Sequence, residues 1–374
     1  MKIKVLQENL SQSLNYLQKA IPNKPQLPIL SSIHIQVKKN ECIFSATDLY
    51  LGVRSSAQAE ADQTGEIVIP GKEFREIITS LPPGVITLEY VDGTLRIKSK
   101  KTKVALQCYN SEEYPDFPAV EGDEYALSGD YLKKIEQYLL FSASSDQARP
   151  VLTAILFDFD ESGLRVVSTD GFRLSLMQLG ADAGVKNRDD SGGQLLVPAK
   201  ALGEAFRISS QLGVDEVRFK VSEELKQVFF SINSVEMYVR LIEGSYPPYE
   251  KIIPSSSSTE VSFDTQELTN NIKQAMIFAR ESSNIVKFEF SSKNCSVLAE
   301  SPTLGSFVGD LEQAVVSGDR AEIAFNARYL LDFLQAVKSE TVKFSMTDSL
   351  KPATFTTDDL SNYQYVVMPF KVNR

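Results

Sequence analysis

Lys72, Lys200 and Arg328 fall 128 residues apart, inside one phrase written three times. The copies read Ile67-Val68-Ile69-Pro70-Gly71-Lys72-Glu73-Phe74, Leu195-Leu196-Val197-Pro198-Ala199-Lys200-Ala201-Leu202 and Ile323-Ala324-Phe325-Asn326-Ala327-Arg328-Tyr329-Leu330. In each, the cation stands two residues past Pro or Asn, where a short apolar run gives way to a helical stripe. A helix start exposes free N–H groups and the positive end of the macrodipole, so a cation there is slightly unfavourable. A phosphate shared between those N–H groups and the cation offsets that cost, which makes sequence-independent nucleic-acid contact the chemistry to consider. Arg207 lies seven residues past Lys200 on one helical face, and Lys338 follows Arg328. Other helical stretches supply Lys19, Lys133, Lys134, Lys273 and Arg280 among neutral donors such as Ser11, Gln12, Asn15, Gln137, Asn270 and Gln274. A few cations among neutral donors suit phosphates rather than base edges. Glu73, Glu76 and Glu204 on the same helices weaken that signal.

No comparable set suggests catalysis. The single histidine, His34, sits in an alternating strand between Ile33 and Ile35 and reads as structural. Gly71-Lys72 lacks the upstream glycine of a phosphate-binding loop, and neither GxGxxG nor GxSxG occurs. Asp158 and Asp160 flank Phe159 on a strand and read as solvated carboxylates. Cys42, Cys108 and Cys295 are scattered, which argues against a disulfide framework or a zinc site. A non-catalytic protein without metal or cofactor is expected.

A period of 128 residues is too long for a solenoid and fits a whole domain, so the chain reads as one fold repeated three times over 1–122, 123–254 and 255–374. The first helix of each repeat is marked by the stripes Leu10-Leu14-Leu17, Tyr131-Ile135-Tyr138 and Leu268-Ile272-Ala275, with Ser128 and Asp264 as N-cap candidates. The second is marked by Phe74-Ile77-Ile78-Leu81, Leu202-Ala205-Phe206 and Leu330-Leu331-Leu334-Val337. Between them lie strands with turn signals at Lys38 to Glu41, Asp92-Gly93, Glu161-Ser162-Gly163 and Ser292-Lys293-Asn294. Two helices and runs of strands per unit predict an α+β fold with antiparallel sheets. Tyr114-Pro115-Asp116-Phe117-Pro118, Tyr246-Pro247-Pro248-Tyr249 and the serine run after Pro254 read as connectors.

The net charge of −10 opposes a basic nucleic-acid glove, so position matters more than sum. No apolar run reaches membrane-spanning length, and Met1-Lys2-Ile3-Lys4-Val5 leads directly into a strand. A cytoplasmic protein without membrane contact is expected. The terminus Tyr363-Gln364-Tyr365-Val366-Val367-Met368-Pro369-Phe370-Lys371 is rich in large side chains. Thr169-Asp170-Gly171-Phe172-Arg173-Leu174 reads as a turn whose first-repeat counterpart, Thr47-Asp48-Leu49-Tyr50, lacks the glycine and arginine. A departure confined to one copy suggests a task for that copy.

Seven short phrases in order carry a resemblance over the full length. They are Leu27-Pro28-Ile29-Leu30, Ala46-Thr47-Asp48-Leu49, Asp116-Phe117-Pro118, Thr169 to Leu174, Val197-Pro198-Ala199-Lys200, Met346-Thr347-Asp348-Ser349 and Tyr365-Val366-Val367-Met368-Pro369. The chain resembles the β subunit of bacterial DNA polymerase III, the replicative sliding-clamp family. The resemblance implies a head-to-tail homodimer forming a ring of six similar domains around double-stranded DNA. Helix cations would then face the duplex, with Lys24 where arginine is frequent in the family. It also implies a partner-peptide pocket lined by Arg149, Leu152, Thr169, Gly171, Arg173 and Leu174, then Pro247, Lys251 and Ile252, then Val366, Met368, Pro369 and Phe370. The DNA polymerase III α subunit, the clamp loader, other DNA polymerases and repair proteins would share that pocket. Phe172 replaces a common histidine, and Lys251 a familiar arginine, which loses the planar guanidinium fork. Val104, Ile277 and Phe278 align with the family's apolar dimer contact. The rival readings are a peptide-binding scaffold that never encloses DNA, and an enzyme using Asp158 or Asp160.

Overall fold

The computed structural model describes residues 1–118, 124–160, 163–180, 193–222, 224–291 and 294–371. Six α-helices lie among them: α1 (Gln7–Leu17), α2 (Gly71–Ser80), α3 (Gly129–Tyr138), α4 (Ala199–Leu212), α5 (Thr265–Ala279) and α6 (Ala327–Ala336). They sit where the repeated stripes place them. Leu10, Leu14 and Leu17 on α1, and Leu268, Ile272 and Ala275 on α5, are all fully buried, as period 3.6 requires. Asp264 caps α5, accepting from the backbone N–H of Glu267 at 2.7 Å.

The chain divides into two compact units, Met1–Asp130 with Lys200–Leu241, and Tyr131–Ala199 with Ile242–Arg374. The first holds a five-stranded sheet in the order Glu60–Gln63, Lys2–Leu6, Val85–Val91, Thr94–Ser99, Thr102–Gln107. Its eight-stranded sheet runs Glu124–Ser128, Glu216–Ser222, Gln227–Ile232, Val235–Arg240, Leu51–Gln58, Glu41–Thr47, Ser32–Val37, Gly65–Pro70. Alternation decides the faces: Ile33, Ile35 and Val37 are buried, while His34 points the other way, 3.4 Å from Glu66. The Asp92-Gly93 hairpin forms as read, both residues holding positive φ (49° and 77°), the left-handed pair that a two-residue turn needs.

The second unit holds a nine-stranded sheet in the order Gly193–Pro198, Ala154–Asp160, Gly163–Thr169, Arg173–Leu179, Tyr363–Val367, Ala353–Thr357, Thr341–Met346, Thr259–Asp264, Val315–Gly318. A four-stranded sheet follows as Gly305–Asp310, Cys295–Ser301, Ile285–Phe290, Ala321–Asn326. Its core is aromatic: Phe333 stacks on Tyr365 at 4.9 Å, and Phe344 meets Phe355 at 5.0 Å. Every strand pairing in both units is antiparallel.

Compactness cuts the chain differently from the threefold repeat, because two strand pairings cross repeat boundaries. Val235 pairs with Ser55, and Arg173 with Val367, so the sheets continue from one repeat into the next. The boundary read near 122 lies outside the described residues, as do Glu161-Ser162 and Ser292-Lys293 of the two later turns. Of the segments read as connectors, Ser255 to Ser258 are exposed, while the two tyrosine-bearing ones are packed straps. The Tyr114 hydroxyl donates to the carbonyls of Ser32 (3.2 Å) and Ser45 (3.4 Å), and Phe117 meets Tyr238 edge-on beneath the Arg54 guanidinium. Tyr246 and Tyr249 are likewise buried in the second unit. Pro spacing signalled a break in periodic structure there; the tyrosines nevertheless bury.

Candidate functional site

The altered turn of the second repeat lies between two strands of the nine-stranded sheet. Thr169 ends one, and its hydroxyl donates to the Arg173 carbonyl (2.6 Å) while accepting from the Gly171 N–H (3.0 Å). Asp170 accepts from the N–H groups of Phe172 (2.9 Å) and Arg173 (3.1 Å). This side-chain scaffold holds the turn without a ladder. The first-repeat copy repeats the three N–H bonds to Thr47 and Asp48, while the Thr47 hydroxyl pairs with the Tyr238 hydroxyl instead of a carbonyl of the turn. Leu49 there holds φ 75° where Gly171 holds 93°, a left-handed backbone that a side chain adopts only with strain and glycine adopts freely. Space adds little to that: a Cβ on Gly171 would stand 3.3 Å from the mobile end of the Arg149 side chain and at ordinary contact, 4.0 Å, from Leu152.

Beneath the turn lies an apolar floor of Ala154, Leu156, Val167, Leu174, Leu196, Tyr246, Tyr249 and Val366, with Val151, Leu176, Ile242 and Ile253 partly buried against it. Leu174 and Val366 meet directly in strand register. The rim is exposed and apolar: Phe172 (54%), Phe370 (50%), Met368 (37%) and Ile252 (37%). Met368 donates its N–H to the Phe172 carbonyl at 2.8 Å, joining the terminal segment to the turn, and Phe370 donates to Ala324 at 2.7 Å. Pro247 and Lys251 are exposed on the strap beside them, and Pro369 is half-buried. Phe172, in place of histidine, stacks over Tyr329 at 6.3 Å.

The thirteen positions carried over from the resemblance thus lie on the turn, on the stretch from Arg149 to Leu152, on the strap and on the terminal segment of the second unit. Arg173 does not line the surface: its side chain is only 10% exposed. It donates to Asp170 (3.1 Å), Asp332 (2.5 Å) and the Phe141 carbonyl (2.7 Å) and lies over the Tyr329 ring. Burial opposes its charge, but Tyr365, Asp332 and Asp170 raise its pKa regardless. Its work is to pin the turn to α6. Sequence reasoning missed Val151, Leu176, Ile242 and Ile253; only Leu176 carried a signal, sharing the Leu174 face by period-2 alternation.

Lys72, Lys200 and Arg328 are each the second residue of their helices, α2, α4 and α6, and each is exposed. Asn326 caps α6 by accepting the Arg328 N–H at 3.0 Å. Lys24, Lys133, Lys273, Arg280 and Lys338 are exposed as well. Arg207 differs. Its guanidinium donates to both oxygens of the buried Glu204 (2.5 and 2.9 Å) and to Gln211 (2.8 Å), so its charge is already neutralised. A polar groove of about 430 Å³ in the first unit is lined by Gln7, Glu8, Ser11, Gln12, Asn15 and Tyr16 of α1 with Gln211 of α4. It presents neutral donors and one carboxylate.

Val104 lies half-buried on Thr102–Gln107, the end strand of the five-stranded sheet. In the second unit Ile277 is exposed on α5, and Phe278 stacks on Phe307 (6.1 Å) of Gly305–Asp310, the end strand of the four-stranded sheet. Leu304 and Val308, which sequence reasoning passed over, are exposed beside them. An end strand with an apolar flank is a template for pairing with another chain.

Asp158 is half-buried and has partners besides solvent. It accepts from the Tyr249 hydroxyl (2.8 Å) and from Gln194 (3.1 Å). Burial and then Asp158 raise the Tyr249 pKa, so the phenol stays protonated and donates. The Asp160 side chain lies outside what is described. All three cysteines are free, and burial pushes the Cys295 thiol up to about 12. Among the described residues no His, Cys, Asp and Glu group has the makings of a metal site, and no helix is long and apolar enough to cross a membrane.

Three family descriptions match in succession. DNA polymerase III beta subunit, N-terminal domain, covers residues 1–118; its central domain, 126–248; its C-terminal domain, 250–371. The beta sliding clamp of Synechocystis sp. is 29% identical over 392 residues, with 100% of both chains covered. That of Chlamydia muridarum is 27% identical over 376 residues, again with 100% of both covered. Among solved structures, the beta subunit from DNA polymerase of Streptococcus pyogenes superposes with a TM-score of 0.92 at 26% identity, covering 100% of each chain.

Proposed function

We propose, from the premise that this chain belongs to the DNA polymerase III β-subunit family of sliding clamps, how its own residues carry out that family's task. The chain is a β sliding clamp, a replicative processivity factor and a non-catalytic subunit of the polymerase. Two copies close head to tail, the Thr102–Gln107 edge of one meeting the Gly305–Asp310 edge of the other, with Val104, Ile277 and Phe278 and the exposed Leu304 and Val308 in the joint. The ring so formed encloses duplex DNA without reading its sequence.

Lys24, Lys72, Lys133, Lys200, Lys273, Arg280, Arg328 and Lys338 guide the phosphates. The observation that carries this reading is the recurrence of an exposed cation at the second position of α2, α4 and α6, in a chain whose net charge is −10. Placing sparse cations toward DNA and acids elsewhere permits encirclement with weak attachment, since each tight phosphate contact would slow sliding. Arg207 contributes through Glu204, by holding α4, rather than through DNA.

The surface around Phe172, Met368 and Phe370 docks short apolar segments of the polymerase α subunit, the clamp loader, and other polymerases and repair proteins, in the bacterial cytosol. A flexible Met and exposed aromatics over an apolar floor repack around different sequences, as a shared docking point requires.

Sedimentation at micromolar concentration tests the closure. The expected particle has twice the 41.5 kDa of the chain. Ile277→Asp combined with Val308→Asp should give a folded monomer, since each charge would be buried unpaired in the joint. A wild-type chain that sediments only as a monomer would leave no ring to propose.

A further inference from the structure

The strap that carries Pro247, Lys251 and Ile252 has little backbone support. Among the described residues, the backbone bonds of Tyr246 to Ile253 run only within its own single turn, Lys251 to Pro248 and Ile253 to Glu250, both at 3.4 Å. Side chains hold it instead. The rings of Tyr246 and Tyr249 sit in the apolar floor. An apolar ring in an apolar floor resists withdrawal but leaves sliding and tilting unopposed, because dispersion and burial are non-directional. The directional contacts of Tyr249 and Glu250 come from one polar cluster on the neighbouring strands. The Tyr249 hydroxyl donates to Asp158 at 2.8 Å and accepts from Arg165 at 3.3 Å. Gln194 donates to the other Asp158 oxygen at 3.1 Å, and Arg165 lies 3.9 Å from Glu250.

We propose that Asp158 is a positioning residue for partner docking: its bond to the Tyr249 hydroxyl sets the height and tilt of the strap, and so the width of the peptide-binding surface between Ile252 and the rim of Phe172 and Met368. The inference rests on the docking role proposed above and deepens it. Neither Asp158 nor the Tyr249 hydroxyl touches the peptide. The bond acts by keeping one wall in place before the peptide arrives, so less ordering remains to be done on binding. It also accounts for a carboxylate on a strand face whose partner is 91 residues away.

The test uses the full-length protein and a fluorescein-labelled synthetic peptide bearing Leu and Phe among polar residues, read by anisotropy. Tyr249→Phe removes one oxygen and keeps the ring in the floor; Asp158→Ala removes the acceptor. Each is expected to weaken peptide binding about tenfold, one hydrogen bond to a charged group being worth about 1.5 kcal/mol or more. The double variant should be no weaker than either single one. Asp158→Asn retains an acceptor oxygen for the tyrosine, while Gln194 can turn its amide to meet the new NH₂, so it should bind within about twofold of wild type. A merely structural role would move the melting temperature of Tyr249→Phe and Asp158→Ala without weakening peptide binding; the positioning role requires that loss of affinity and its recovery in Asp158→Asn. Deleting residues 368–374 serves as the reference. If that deletion abolishes binding while Tyr249→Phe and Asp158→Ala bind as wild type, the positioning role is wrong and the docking surface stands. If the deletion leaves binding unchanged, the docking surface itself is wrong and the inference goes with it.

Discussion

Deleting residues 368–374 abolishes binding of short partner peptides and leaves the two-chain particle intact. The expectation follows from where the sheet ends. Tyr363–Val367 supplies the last strand, paired on both sides, and its Tyr365 ring stacks on Phe333 in the aromatic core. Met368 to Lys371 lie outside that pairing, with the Met368 and Phe370 N–H groups bonded to Phe172 and Ala324. The fold therefore keeps its core when the segment is removed. What disappears is the exposed apolar rim, Met368 and Phe370. Covering two such side chains contributes about 1.5–3 kcal/mol each, so their loss weakens binding by at least about a hundredfold. Fluorescence anisotropy with a labelled peptide measures it, with sedimentation as the control. Peptide affinity within a few-fold of wild type in the truncated protein would remove this surface from the account.

Neutralising Lys72, Lys200 and Arg328 together, as Lys72→Ala, Lys200→Ala and Arg328→Ala, shortens retention on nicked circular duplex without weakening the fold. The two halves of this expectation have opposite signs for a physical reason. At the second position of a helix a cation opposes the macrodipole, so its removal leaves stability unchanged or raises it by about 0.3 kcal/mol or more per site. The Asn326 cap of α6 uses the backbone N–H of residue 328 and survives the substitution. On DNA the same substitutions are expected to remove the three phosphate partners proposed above. The dependence of log affinity on log salt should flatten by roughly 0.9 for each phosphate that is no longer neutralised. Arg207→Ala is the informative contrast. It frees the buried Glu204 carboxylate, so it should lower the melting temperature while moving the salt dependence little. A triple variant with unchanged retention and unchanged salt slope would favour the scaffold that shares the fold without enclosing DNA.

The contrast between these cations shows what could be read in the chain beforehand. Helices and strands were legible because burial imposes a period: Leu10, Leu14 and Leu17 announce α1, and the Ile33-His34-Ile35 alternation announces a half-buried strand. The repeat, visible as one phrase at equal intervals, located the three helix-start cations. Pairing between distant residues leaves no such trace. Arg173 and Asp332 meet across 159 residues, and Tyr249 and Asp158 across 91. Neither partner's local sequence says that its side chain is already engaged, so Arg173 read as a pocket wall and Asp158 as a solvated acid. Arg207 and Glu204 stand three apart on α4, a spacing at which helical side chains meet, so that pairing was available to a closer reading. The proline-rich segments misled in another way: Pro and Ser mark where periodic structure stops, yet Tyr114, Tyr246 and Tyr249 show that a non-periodic segment can still be buried.

Topology separates a clamp from every protein that merely binds DNA. The measurement is retention of the loaded protein on a closed circular duplex, followed by a single cut that linearises the same molecule at constant salt. Attachment by enclosure predicts persistence on the circle and rapid escape from the free ends after the cut, with blocked ends restoring retention. Equal retention before and after the cut, with ends open, would mean that the chain holds DNA by surface contact, and the ring would have to be abandoned.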